Sequence, residues 1–316
     1  MKIIIFGGLE NHYSFYKSIA HHHSCLESDL VIIDEKIDFL SLAKYFFGFL
    51  KSCNKCIFYI EEYVNLFYCA FLILIKIMRP SIINLRPCIH NGNRWVMAPP
   101  RFVVKLWLRF FLRKIVISLA DVVVVVAANI GQFIQATLNA KYIFIPFRVK
   151  VDNSKWRPSA KNIISIPGNV EEFRRDYITV LDSAIDLINF GCNFELHFLG
   201  VMDANLLSEA LVDRLSNFRN LGGKLFTYDS WISLEEFDQR IQESLVLIGN
   251  LVPFFVNNEG VEFYGITKET GIRVLTDSLG VPCILYDKIP PGENAILYSS
   301  YNTKESLSDQ LLKLLK

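Results

Sequence analysis

Short uninterrupted apolar runs alternate with longer stretches of helical periodicity from one end of the chain to the other. The runs at 2–6, 29–34, 57–60, 81–85, 121–126 and 142–145 read as strands. The segments 13–20, 39–50, 63–78 and 101–119, and one capped by Asn129, read as helices. The valine run within 121–126 has no polar face, which suits a strand buried on both sides of a parallel sheet. Residues 148–160 are polar, contain proline and lack a period, so a domain boundary is expected there. The alternation then restarts, with strands at 161–166, 194–199, 224–227, 245–248 and 283–286 and helices at 177–190, 206–218, 234–242 and 306–315. Both halves therefore point to one fold class: α/β, two Rossmann-like domains, 1–150 and 151–316, facing each other across a ligand-binding cleft.

Residues 259–287 join a glycine-hinged polar loop, a helix start and a buried strand. The apolar positions Ile272, Leu275 and Leu279 place a helix start near Lys268, and Gly280-Val281-Pro282 stops it. Thr267 is placed to cap that start, and Lys268 adds a charge to the positive end of the helix dipole. Gly265 and Gly271 leave room for a ligand to approach the backbone. The four unpaired amides of a helix start favour a phosphate, so the stretch reads as an anion cradle. Without a ligand it is an ordinary helix–turn–strand connection.

With 316 residues, of which 52% are hydrophobic, the chain can fill two cores, and disorder is excluded. The net charge of +1 hides an asymmetry: residues 1–150 carry 18 Lys and Arg against 9 Asp and Glu, and the remainder carries 15 against 23. Different partners for the two halves follow. Seven cysteines without a repeated spacing fit reduced thiols in the cytoplasm, and Cys53-Asn54-Lys55-Cys56 has no second pair for zinc. The first residues lack the apolar core and cleavage site of a signal peptide, so no export is expected. The apolar stretch 63–75 is too short for a bilayer and reads as a buried helix.

Several side chains carry candidate chemistry. His12 follows the first glycine turn and could deprotonate a hydroxyl, with Glu10 as the rival base and helix capping as the plain alternative. His90 sits past a strand end with Arg86 and Arg94 near enough in sequence to form an anion site, or else solvated loop charge. His21, His22 and His23 point in different directions on a helix end and make a poor metal site. Glu61 and Glu62 complement a helix dipole. Within 99–114, Arg101, Lys105, Arg109 and Arg113 recur every four residues beside Trp107, Phe110 and Phe111. Such a stripe suits an anionic membrane surface, or simply a solvated helix face.

The order of elements, with DVVVVVAANIGQF before the boundary, ISIPGNVEEFRRDY after it, then FELHFLG and YGITKETG…GVP, resembles a GT-B glycosyltransferase of bacterial surface polysaccharide (capsule or O-antigen) biosynthesis. The resemblance implies a hexosyltransferase-like, metal-independent enzyme that uses a nucleoside diphosphate sugar, with no cofactor. The acceptor it implies is a glycan, lipid-linked, of capsule or lipopolysaccharide synthesis. By position, Arg174, Arg175, Gly265, Lys268 and the amides after Thr267 would meet the donor diphosphate. Glu262, Tyr264 and Glu269 would meet its ribose or sugar, and residues 228–232 its base. His90, Arg86 and Arg94 fall on the acceptor side, with His12 or Glu10 as base. A cytoplasmic protein held to the inner face of the membrane through 99–114 is expected. No nucleic-acid partner is expected, since the basic residues are not interleaved with a reading motif.

One departure stands out. Retaining members carry two acidic residues eight positions apart, a spacing shared by Glu269 and Asp277, but alignment on Gly280-Val281-Pro282 puts those positions at Thr267 and Leu275. The stereochemical outcome is left open. Two alternatives remain: a GT-B-like binding or scaffold subunit without turnover, and a nucleotide-dependent oxidoreductase or epimerase. Gly7-Gly8 without a third spaced glycine argues against a dinucleotide fingerprint.

Overall fold

The computed structural model describes residues 2–7, 13–34, 40, 41, 43, 44, 47, 55–61, 66–150, 156–257 and 260–316. Glu10, His12, Cys53, Glu62 and most of the helix expected over 39–50 lie outside them. By its contacts the chain divides into Met1–Val149 with Val256–Glu269, and Lys150–Phe255 with Thr270–Lys316. The excursion 256–269, counted with the second half in the sequence reading, packs with the first unit.

The first unit holds a parallel sheet of β1 (Lys2–Gly7), β2 (Leu30–Asp34), β3 (Cys56–Ile60), β4 (Ile83–Ile89), β5 (Val123–Val125) and β6 (Tyr142–Phe144). Its order is β2-β1-β3-β4-β5-β6, so the order reverses between β1 and β3. The helices α1 (Tyr13–His22), α2 (Leu66–Met78), α3 (Gly92–Val96), α4 (Val104–Leu119) and α5 (Ala128–Leu138) accompany it. Ile4, Ile5, Phe58, Leu85 and Val124 are fully buried, as strands covered on both faces require.

The second unit repeats the plan with β7 (Ile163–Pro167), β8 (Glu195–Val201), β9 (Lys224–Tyr228) and β10 (Val246–Gly249). After the ribbon of β11 (Phe254–Asn257) and β12 (Gly260–Phe263), the sheet is completed by β13 (Cys283–Tyr286) and β14 (Tyr298–Tyr301). The order β14-β13-β10-β7-β8-β9 is that of a dinucleotide-binding sheet, reversing between β7 and β10. Around it lie α6 (Tyr177–Asn189), α7 (Glu209–Asn220), α8 (Leu234–Glu243), α9 (Gly271–Leu279) and α10 (Lys304–Leu315). The ribbon and β14 are absent from the sequence reading. β14 is Tyr-Ser-Ser-Tyr at a sheet edge, with no apolar run to mark it.

Helix starts follow their caps. The side chains of Asp176, Ser208, Ser233 and Thr270 accept from the amides of Thr179, Leu211, Glu236 and Arg273. α9 therefore begins beyond the expected Lys268, with Thr270 rather than Thr267 as its cap.

Gly200 lets β8 press on the turn that leaves β7. A Cβ there would lie 2.3 Å from Gly168 C, 2.4 Å from Gly168 O and 2.6 Å from Asn169 N, all backbone atoms that cannot swing aside. Gly200→Ala should therefore cost about 2 kcal/mol in denaturant unfolding. Gly271→Ala, where nothing lies within 4 Å of the added carbon, should be close to neutral.

Candidate functional site

Open parallel sheets hold ligands beyond the carboxyl ends of the strands, where strand order reverses. In the second unit that place lies beyond β7 and β10. The chain leaves β7 through Gly168, whose φ of +99° is a left-handed conformation that suits glycine. The Arg175 guanidinium lies against this turn, with Nη2 2.4 Å from where a Gly168 Cβ would stand. Arg175 Nη1 donates to Asn250 Oδ1 at 3.2 Å. The backbone seals the arrangement: Asp176 N donates to Asn250 O at 2.8 Å and Val252 N to Arg174 O at 2.9 Å. Arg174 pairs with Glu171 at 3.2 Å and lies 5.7 Å from the Phe255 ring centroid. Tyr177 donates to Asn169 O at 3.1 Å, and burial pushes its phenol up to about 12, so it remains a neutral donor.

α9 follows β10 in sequence and precedes β13, its parallel neighbour. A crossover helix runs against its strands, so the amino end of α9 lies at the same carboxyl edge as Arg174 and Arg175. Its first-turn amides, of which that of Arg273 donates to the Thr270 cap, carry partial positive charge there.

The other residues expected at a donor sit in the first unit, around one carboxylate. Glu262, 2% exposed, accepts from Lys268 Nζ at 2.6 Å, Asn91 Nδ2 at 3.1 Å, Asn257 Nδ2 at 3.2 Å, and Arg94 Nη2 and Tyr264 OH at 3.4 Å. Thr267 closes its own turn, with its amide donating to Phe263 O at 2.9 Å, and its carbonyl accepts from Gly92 N at 2.6 Å. Gly265, at φ +73°, donates to Lys268 O at 2.7 Å and accepts from the Asn129 side chain. Glu269, half-buried, ends the excursion.

The acceptor-side trio does not converge. Arg86 lies within β4, not past its end, and donates to Asn84 Oδ1 at 2.9 Å and Tyr59 OH at 3.1 Å. Arg94 turns to Glu262, and His90 packs edge-on to the rings of Phe15 and Phe147. Glu61, 1% exposed, follows β3 where the first sheet's order reverses. The basic stripe also breaks. Arg113 is buried, donates to Arg94 O at 3.3 Å and lies 5.8 Å from the Trp95 ring. Steps of four advance about 40° beyond a full turn, so the fourth member rotates onto the covered face. Arg101 and Lys105 stay exposed beside Phe102, Val104, Leu108 and Phe111. Among the described residues no three His, Cys, Asp or Glu side chains converge to hold a metal ion.

No protein-family model matches the chain, and no curated protein matches it. Solved structures do. A glycosyltransferase from Rickettsia africae superposes with a TM-score of 0.59 at 12% identity, over 99% of this chain and 88% of that one. Sucrose-phosphate synthase from Thermosynechococcus elongatus gives 0.57 at 12% identity, over 100% and 90%. A putative UDP-N-acetylglucosamine 2-epimerase from Listeria monocytogenes gives 0.52 at 12% identity, over 99% and 87%. The chain has the GT-B fold, with two Rossmann-like units.

Two outcomes follow. Glu262→Gln keeps the shape but removes the charge that holds Lys268 and Arg94, and should lower stability by about 3 kcal/mol in denaturant unfolding. The second concerns His23, whose Nε2 shares a hydrogen bond with Tyr59 OH at 2.6 Å. Burial, then the Arg86 and His22 charges, lower its pKa to about 4 from the 6.5 of an unfolded chain. Between these values the unfolded state binds more protons. The stability His23 confers is thus complete above about 6.5 and is lost as the pH falls toward 4. His23→Gln should flatten that limb of the melting temperature against pH.

Proposed function

We propose that this chain is a glycosyltransferase that moves a sugar from a nucleoside diphosphate sugar to a lipid-linked glycan in surface polysaccharide synthesis. The observation that carries the reading is Arg175, held against the Gly168 turn by Asn250 where the second sheet's strand order reverses. When the bond from the anomeric carbon to the donor's phosphate oxygen breaks, the departing diphosphate gains negative charge. Arg175, Arg174 and the first-turn amides of α9 are the groups that meet it, with no metal required by the scheme. Gly265, Thr267, Lys268, Glu262, Tyr264 and Glu269, which the resemblance assigns to the donor, belong to the first unit, where Lys268 is engaged by Glu262. His12 or Glu10 takes the acceptor proton, and His90 and Arg94 lie on the acceptor side. Arg101 and Lys105, with exposed Phe102, Val104 and Phe111, rest on the anionic inner face of the cytoplasmic membrane. No helix among the described residues is long and apolar enough to cross a membrane.

The Listeria neighbour favours a second reading, epimerisation of the nucleotide sugar itself. Proton NMR of the sugar after incubation without acceptor separates the two: an epimerised sugar supports the second reading, an unchanged one the first.

A thermal-shift panel of UDP, GDP and their sugars tests the site, because a ligand stabilises the state it binds. One nucleotide family should raise the melting temperature, and Arg175→Ala should weaken its binding about tenfold or more. Binding unaltered in Arg175→Ala and in Arg174→Ala would overturn the site.

A further inference from the structure

The first unit contains a cavity of about 420 Å³ among residues that start β3 and β4 or precede β4 and β5, including Asn84, Ser81 and Asp121. It therefore opens at the amino-terminal edge of the sheet. Nucleotide-binding sheets use the opposite, carboxyl-terminal edge, so no role proposed above accounts for it. Its volume is that of small-molecule pockets.

The lining of this cavity carries two cations. Arg86 reaches it in a fixed orientation, its Nε held by Asn84 Oδ1, its Nη1 by Tyr59 OH, and its guanidinium carbon 5.7 Å from the Tyr59 ring centroid. Its Nη2 has no partner among the described residues. Neither holding group is a carboxylate, so the charge of Arg86 is not cancelled. Lys55 adds a second cation at an exposed position. His23, also in the lining, is kept neutral by burial and by the Arg86 charge.

The lining also carries hydrogen-bond acceptors. Asp121 Oδ2 takes Lys76 Nζ and Leu85 N, both at 2.7 Å, while Oδ1 has no partner among the described residues. Ser81 and Asn84 also line the cavity. A rigidly held arginine, with a lysine, a carboxylate, a hydroxyl and an amide in the same lining, matches a molecule that carries both an oxyanion and hydroxyls.

We propose that this cavity is a second ligand site, for a phosphorylated polyol such as a sugar phosphate. The phosphate sits on Arg86 and Lys55, and the hydroxyls face Asp121, Ser81 and Asn84. The site is independent of the donor site at Arg175.

Isothermal titration of the full chain with glucose 6-phosphate, orthophosphate and glucose tests this. Glucose 6-phosphate should bind more tightly than either fragment. Lys55→Glu and Arg86→Gln should each weaken it about tenfold or more. Arg175→Ala should leave it unchanged, and Lys55→Glu should leave nucleotide binding unchanged, so failure of this site and failure of the donor site are distinguishable. Lys55 is exposed, so Lys55→Glu decides the matter if Arg86→Gln fails to fold. Absence of binding at millimolar glucose 6-phosphate, binding unaltered in Lys55→Glu, or orthophosphate binding as tightly as glucose 6-phosphate would overturn the proposal.

Discussion

A parallel strand between two helical layers has no wet face, and every polar group along it must be satisfied from within. β3, β7 and β10 are buried at each position, which leaves little room for chemistry along their length. Polar side chains buried in β7 and β8 find partners nearby. Ser165 meets Ser244 at 2.7 Å, and His197 meets Glu195 at 3.3 Å, with burial lowering the His197 pKa against the pull of Glu195. Groups able to meet a ligand are thereby displaced to the ends of the strands. This one constraint places Arg175 and Glu61 beyond carboxyl ends and gathers Ser81, Asn84 and Asp121 at amino ends.

Because strands buried on both faces are written as apolar runs, most of both sheets was legible before any coordinates. What escaped was written in other terms. Tyr-Ser-Ser-Tyr is a strand only because β13 offers it an edge, and Phe254–Asn257 only because β12 folds beside it. Thr267 and Thr270 satisfy the same local rule for a helix cap, and composition cannot choose between them. Long-range partners chose: Gly92 takes the Thr267 carbonyl and Asn91 bridges to Lys268, which holds that turn outside the helix. Arg174 and Arg175 were candidates through the resemblance alone, which assigned them by position to the donor diphosphate. Asn250, the group that fixes Arg175, lies 75 positions away and carries no local signal.

The same separation in sequence hid the environment of Glu262. A carboxylate this deeply buried is tolerated only with cations and donors around it, and it has Lys268, Arg94, Asn91, Asn257 and Tyr264. Such a cluster contributes little net stability over an apolar substitute, yet losing one member leaves charge stranded. Its main effect is positional: it ties residues 256–269 to α3 and the end of β4. It also engages the Lys268 amine, which the sequence alone presents as an available cation.

The partner of each arginine separates structural from functional use. A carboxylate fixes a guanidinium and neutralises it, whereas a side-chain amide oxygen fixes it and leaves the charge intact. Arg94 and Lys268 share Glu262, and Arg174 has Glu171, so part of their charge is already answered. Arg175 and Arg86 are held by Asn250 and Asn84 instead. Each is rigid, and each retains its full charge for something outside the protein. One lies at the carboxyl edge of the second sheet and the other by the amino edge of the first. An electrostatic test on these two positions therefore reports on ligands, whereas the same test at Arg94 or Lys268 reports chiefly on folding.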